Sequence, residues 1–169
     1  MTDKLKPAIF WPTPHVLLPA VFFLMVSSDA HACWEAAASR YGVDARLLYA
    51  VASVESSLNP SVINRDNPFG NTYDIGLMQI NSSHLPKLSK YGITEASLLD
   101  ACTNMHVGAW ILAGNFQRYG VTWEAVGAYN ASCSKLRGLD CVNARVRYAS
   151  KVNRALLKLQ QRQVMAVQK

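Results

Sequence analysis

Asp44-Ala45-Arg46-Leu47-Leu48-Tyr49-Ala50-Val51-Ala52-Ser53-Val54-Glu55-Ser56-Ser57-Leu58 decides how the rest of the chain is read. At roughly 100° per residue with Leu47 at zero, Val54, Leu58, Val51 and Leu48 fall between about −20° and +100°. They form the apolar stripe of an amphipathic helix, for which Asp44 is a suitable N-cap. Glu55 falls at about 80° on the same wheel, inside the stripe. A carboxylate held against apolar neighbours loses hydration, which disfavours its charged form and raises its pKa. A carboxyl that stays partly protonated near neutral pH is what a general acid requires. Periodicity alone also allows a Glu at the stripe's edge that reaches water, or one tied into a buried salt bridge. Asn59-Pro60 is expected to end the helix, because proline cannot continue it.

Outward from this helix the pattern stays helical. Trp34 to Arg40 reads as a short helix closed by Tyr41-Gly42. Ser61 to Asn71 is a polar loop rich in turn-forming residues. Tyr73 to Asn81 is too short for a long helix and too mixed for a core strand. Thr94 is a second cap, with Glu95 in the first turn after it. Cys102 to Tyr119 carries Met105, Val107, Ala109, Ile111, Leu112 and Phe116 and stops at Gly120, as a core helix does. A further helix follows Thr122 and runs through Trp123, Val126 and Tyr129 to Asn130. Ala131 to Asp140 reads as a loop. Asn143 to about Gln160 is a basic helix, with Val146, Ala149, Val152, Leu156 and Leu159 along one side. Val-rich alternating strands are absent, and no repeat or second-domain linker is visible. The expectation is a single, mainly α domain with few or no strands.

Half of the 169 residues are apolar and 17% are charged, a globular rather than disordered composition. A formal net charge of +6 favours an anionic partner: nucleic acid, an acidic membrane surface or an anionic polymer such as cell-wall glycan. Lys4 and Lys6 precede the apolar run Val16 to Val26, and Ala30-His31-Ala32 follows it. This is the layout of a signal peptide over residues 1–32, cut before Cys33. The run is too short to span a bilayer and Pro19 interrupts it, so no stable membrane insertion is expected once it is removed. Ala-His-Ala before Cys33 lacks the aliphatic residue of a lipobox. Export makes Cys33, Cys102, Cys133 and Cys141 candidates for two disulfides, with three connectivities open. Cys133 and Cys141 flank a Gly-containing loop and form the natural local pair; Cys33 would then join Cys102. No Cys-x-x-Cys is present, and His84 and His106 each stand alone, so neither a metal nor a cofactor is expected. The cations Arg145, Arg147, Lys151, Arg154 and Lys158 suggest a nucleic-acid face. For an exported protein, a solvated face or contact with acidic peptide stems of the wall fits better, or the docking of a secretion component.

Glu55-Ser56-x-x-Asn59-Pro60, Gly76-Leu77-Met78-Gln79-Ile80-Asn81 and Ala128-Tyr129-Asn130 together resemble the three signatures of the family 1 lytic transglycosylases, the soluble-lytic-transglycosylase-like domain. The similarity spans roughly Cys33 to Leu157. The Cys33-Trp34 start and Asp100-Ala101-Cys102-Thr103-Asn104 resemble its small stand-alone members, which accompany type III and type IV secretion and conjugation machineries. The resemblance implies a lysozyme-like fold over residues 33–160, followed by a basic tail over 161–169. It also implies cleavage of the β-1,4 bond between N-acetylmuramic acid and N-acetylglucosamine in peptidoglycan, leaving a 1,6-anhydromuramoyl end.

Carried over residue by residue, the resemblance makes Glu55 the catalytic acid and base. It places Ser56, Gly76, Met78, Gln79, Tyr129 and Asn130 against substrate. Met78 and Gln79 become a cleft-lining pair, and Tyr129 the hydroxyl that points at the acid. Ser56 could equally be a helix hydroxyl bonding a backbone carbonyl. Ordinary glycoside hydrolysis uses two carboxyl groups, whereas only one stands on a buried face here. Where many members carry a Ser before the Gly-Leu-Met-Gln motif, this chain has Asn64, and Asn130 is followed by Ala131-Ser132. Asp74, two residues before Gly76, reads as a turn-forming Asp. As a second carboxylate it would instead favour hydrolysis by water, as in a lysozyme-type muramidase. A non-catalytic wall-binding assembly factor is the remaining reading.

Overall fold

The computed structural model describes residues 28–66 and 71–168. Most of the expected leader lies outside them. Among the described residues six helices carry the fold: α1 (Ser28–Tyr41), α2 (Ala45–Ser56), the single turn α3 (Leu85–Leu88), α4 (Ala101–Tyr119), α5 (Trp123–Asn130) and α6 (Gly138–Val167). No helix among the described residues is long and apolar enough to cross a membrane. Between α2 and α3 lies a small antiparallel sheet, β1 (Ile63–Asn64), β2 (Asp74–Ile75) and β3 (Ile80–Asn81), in that spatial order. Ile63 faces Ile75, Asp74 faces Asn81, and Ile75 faces Ile80.

The helix starts follow the sequence. Asp44 Oδ1 accepts from the Arg46 N–H at 2.7 Å, Asp100 Oδ1 from Thr103 N–H at 2.8 Å, and Thr122 Oγ1 from Ala125 N–H at 3.3 Å. α2 ends earlier than its proline requires. Ser57 and Leu58 both take left-handed backbone, with φ of 55° and 66°, and both N–H groups turn back to the Ala52 carbonyl. The expected stop at Asn59-Pro60 therefore falls outside the helix. Thr94 caps only a short 3₁₀ segment (Ala96–Leu99), where its Oγ1 accepts from Ser97 N–H.

α2 packs against α6, α1 against α4, and α5 bridges α4 and α6. The core between them holds Leu48, Val51, Ile75, Met78, Ile80, Leu98, Leu112 and Val152, all essentially inaccessible. Two disulfides fasten the frame: Cys33–Cys102 ties α1 to α4, and Cys133–Cys141 closes the loop that enters α6.

α6 departs most from its sequence reading. It begins at Gly138, so it includes Cys141, and it runs on to Val167 through residues read as a tail. Its inward side is also rotated: Val146 is exposed, while Tyr148, Ala149 and Val152 are buried. Arg145, assigned by sequence to a basic face, is buried instead. Its guanidinium donates to Glu124 Oε1 at 2.9 Å, the Tyr119 hydroxyl at 2.9 Å and the Ala131 carbonyl at 3.1 Å. That buried charge is matched by a carboxylate and neutral acceptors, the condition under which a desolvated cation is tolerated.

Candidate active site

Glu55 stands in the last turn of α2 and is half-buried. The hydroxyl of Tyr148, on α6, donates to its Oε1 at 2.5 Å. Loss of hydration pushes the Glu55 pKa from 4.5 up to about 7. The Tyr148 hydrogen bond and the charge of Lys151 pull the other way, while the charge of Asp74 adds to the rise. Burial is the largest of these effects, so the carboxyl is divided between its two protonation states near neutral pH.

Tyr148 and Tyr129 stack, with ring centroids 6.5 Å apart and planes 13° from parallel. Burial first, then the charge of Glu55, holds both phenols well above their ordinary pKa of 10. Neither loses its proton at physiological pH, so Tyr148 is a fixed donor to the acid. The Tyr129 hydroxyl donates to the Met78 carbonyl at 2.9 Å, while the ring stays within reach of the Glu55 charge. Tyr129 props the hairpin and backs the ring that holds Glu55.

The Gly76 to Asn81 segment enters the site through its backbone. A buried amide, Asn104 on α4, organises it: Oδ1 accepts from Met78 N–H at 2.7 Å, and Nδ2 donates to the carbonyls of Ile75 at 2.9 Å and Leu98 at 2.7 Å. Gly76, at φ +74°, is required by this packing, because a Cβ there would collide with Asn104 Nδ2 and lie 2.5 Å from the Leu98 carbonyl. The Met78 side chain is fully buried and leans on Gly108, where a Cβ would come within 2.7 Å of it; it is core rather than cleft wall. Gln79 is half-buried at φ 50°, and its amide donates to the carbonyls of Gly76 at 2.8 Å and Val62 at 3.2 Å. Its Nε2 therefore secures the turn.

Ser56 is likewise a fastening residue. Its hydroxyl donates to the Leu77 carbonyl at 2.7 Å and accepts from Asn59 N–H at 3.1 Å, linking the end of α2 to the hairpin. Asn130 is exposed at the end of α5. Asp74 is a strand residue rather than a turn former. Its Oδ1 accepts from Asn81 Nδ2 at 2.8 Å, and its charge reaches both Glu55 and Tyr129. Asn64 pairs with it across β1 and β2. Tyr148 and Asn104 are the residues that sequence reasoning missed. Tyr148, Val152, Ala155, Leu156 and Leu159 follow helical spacing from the tyrosine, a pattern that was open to reading.

Residues 32–148 match the family described as Transglycosylase SLT domain. The chain belongs to the transglycosylase SLT family. It is a lytic transglycosylase, and peptidoglycan is its polymer. This transglycosylase is 44% identical over 142 residues to the invasion protein IagB of Salmonella typhimurium (strain LT2), covering 82% of this chain and 84% of IagB. It is 37% identical over 128 residues to protein IpgF of Shigella flexneri, covering 75% and 80%. It is 38% identical over 138 residues to the X polypeptide of Escherichia coli K12, covering 80% and 79%. Its fold matches an inactive Glu-to-Gln mutant of lytic transglycosylase Slt from Pseudomonas aeruginosa, with a TM-score of 0.59 and 20% identity, over 78% of this chain and 24% of that one. That likeness establishes the mainly α, lysozyme-like architecture expected from the sequence.

Proposed function

We propose that this enzyme is exported and cleaves the MurNAc-β-1,4-GlcNAc bond with Glu55 as successive acid and base, leaving a 1,6-anhydromuramoyl end. The observation that carries the reading is a half-buried carboxyl with a pKa of about 7, positioned by the Tyr148 hydroxyl. Protonated Glu55 gives its proton to the glycosidic oxygen as the bond breaks, and the N-acetylglucosamine side leaves as an alcohol. The muramoyl N-acetyl carbonyl stabilises the developing positive charge at the anomeric carbon. Glu55, now a carboxylate, takes the proton of the muramoyl 6-hydroxyl as that oxygen bonds to the anomeric carbon. The proton count closes, and no water is consumed. A nucleophile tethered to the substrate has a high effective molarity that free water lacks. A pKa close to the operating pH suits both proton transfers.

Export is supported by the signal-peptide pattern over residues 1–32 and by two disulfides in a chain of this size. Similarity to an invasion protein supports local wall opening for a secretion or conjugation apparatus. Purified protein and its Glu55→Gln variant, incubated with sacculi, test the chemistry by mass spectrometry of the released fragments. Anhydro ends, each lighter by one water than a reducing end, are expected from the wild type. The variant should lose roughly a hundredfold or more of the rate. Reducing ends in place of anhydro ends would refute the transglycosylase product.

A hydrolytic reading has one observation in its favour: the Asp74 charge reaches Glu55. A second carboxylate within reach of the acid could activate a water. Asp74→Asn separates the two, because loss of reducing-end products with anhydro products retained assigns Asp74 to a hydrolytic branch.

A further inference from the structure

The proposed chemistry leaves a row of cations on α6 unused. Arg147, Lys151, Arg154, Lys158 and Arg162 follow one another at i, i+4, i+7, i+11 and i+15. At roughly 100° per residue they occupy about 80° of the helix surface, and at about 1.5 Å per residue the row is about 22 Å long. All five side chains are exposed. The ion pairs among the described residues are Arg46–Asp44, Arg65–Glu95 and Arg145–Glu124, so none of the five is neutralised by a carboxylate. Asp140 is the single acid on α6 and lies before the row begins.

The row has a definite place relative to the acid. With Arg147 at zero, Lys151 falls at about 40° and Tyr148 at about 100°. The row therefore borders the buried edge of α6 on the side where Tyr148 meets Glu55. The Lys151 charge lies near enough to act on the Glu55 carboxyl. The other flank of α6 is different in kind. There Val142, Val146, Ala149 and Asn153 line, with Trp123, a cavity of about 470 Å³. The unpaired charge is thus gathered on the catalytic side and leads away from it along the helix.

We infer that this row binds the carboxylates of the peptide stems on a glycan strand held at Glu55, so that stem-bearing peptidoglycan is preferred over bare glycan. The inference rests on the reading of Glu55 given above. Sugar hydroxyls and acetamides are neutral and offer a line of cations little. The stems attached to the muramoyl lactyl groups are peptides that carry free carboxylates at their ends and along their length. A stem on one sugar reaches sideways from the strand, and successive stems present anionic groups at intervals that an extended row can meet at several points. Each exposed contact is weak, which is why recognition calls for a repeated row rather than one lysine. The same positive field draws an anionic polymer toward the cleft before it docks.

The test measures binding in the Glu55→Gln background, where cleavage does not interfere. Soluble stem-bearing glycan fragments are compared with the same fragments after an amidase has removed the stems. The row is neutralised at its far end by Arg154→Gln, Lys158→Gln and Arg162→Gln together. A charge-conserving control carries Arg154→Lys, Lys158→Arg and Arg162→Lys. At roughly threefold per exposed contact, the parent should prefer stem-bearing fragments by about tenfold or more. The neutralised protein should lose most of that preference and the control should keep it. Added salt should erode the preference. Equal affinity of the parent for both fragments, or an undiminished preference in the neutralised protein, overturns the inference. So does row-dependent binding to phosphatidylglycerol vesicles or duplex DNA that is tighter than binding to stem-bearing glycan. Failure of the anhydro-product reading is seen separately, in the products of the wild-type digest.

Discussion

Glu55→Gln exchanges a carboxyl for an amide of nearly the same shape, and the Tyr148 hydroxyl can donate to either. Its effect on stability follows from the proton balance. In the unfolded chain the carboxyl titrates near 4.5, and in the folded protein near 7. Between those values the folded state holds a proton that the unfolded state has released, so stability falls as pH rises through the window. Below about 4.5 both states are protonated and the contribution is fully present; above about 7 it has been lost. A fully desolvated group with this separation would account for about 3 kcal/mol. Because Glu55 is only half-buried, screening by solvent reduces the expected figure to about 1–2 kcal/mol. The amide that replaces the carboxyl carries no charge and escapes this loss. The variant should therefore melt about 3–6 °C above wild type at pH 8 and show little difference from it at pH 4.5. Thermal and denaturant unfolding of both proteins across that range is the assay. A variant less stable than wild type at pH 8, or a difference that does not change with pH, would refute the claim that the carboxylate is held against its hydration.

Tyr148→Phe removes the hydrogen bond that favours the charged acid, so the Glu55 pKa should rise further and the alkaline limb of the kcat/KM profile should move up by about one pH unit; a limb that stays in place would show that Tyr148 does not tune the acid. Asn104→Ala leaves the Met78 N–H and the Ile75 and Leu98 carbonyls without their partner, which should cost about 3 kcal/mol or more in denaturant unfolding. Gly76→Ala, forced against the same amide at positive φ, should also lower stability by at least about 1 kcal/mol, and a neutral result would mean the hairpin can shift away. Replacing Cys133 and Cys141 together by Ser should lower stability in oxidising buffer by about 2–3 kcal/mol, as expected for a loop this short, and an unchanged melting midpoint would count against the bridge.

What was legible in the sequence was legible because it is local. Helical spacing and the caps at Asp44, Asp100 and Thr122 set the helices, and the end of each depends on residues a few positions away. Glu55 within an apolar stripe was visible for the same reason, and the structure keeps it half-buried. The roles of Gly76, Met78, Gln79 and Ser56 were not legible, because each is settled by a partner on another element. A glycine can be demanded by a ligand or by a neighbouring side chain, and nothing in the motif shows that Asn104, on α4, is such a neighbour. Tyr129 and Tyr148 are both tyrosines on helices, and either could have met the acid. The choice lies in how α6 is rotated against α2, which depends on the sum of packing around Val152 and on the anchoring of Arg145. The sequence by itself determined a mainly α domain with one carboxyl on an apolar face. Only the tertiary structure decided which hydroxyl holds that carboxyl, because the two lie 93 residues apart and no local periodicity reaches that far.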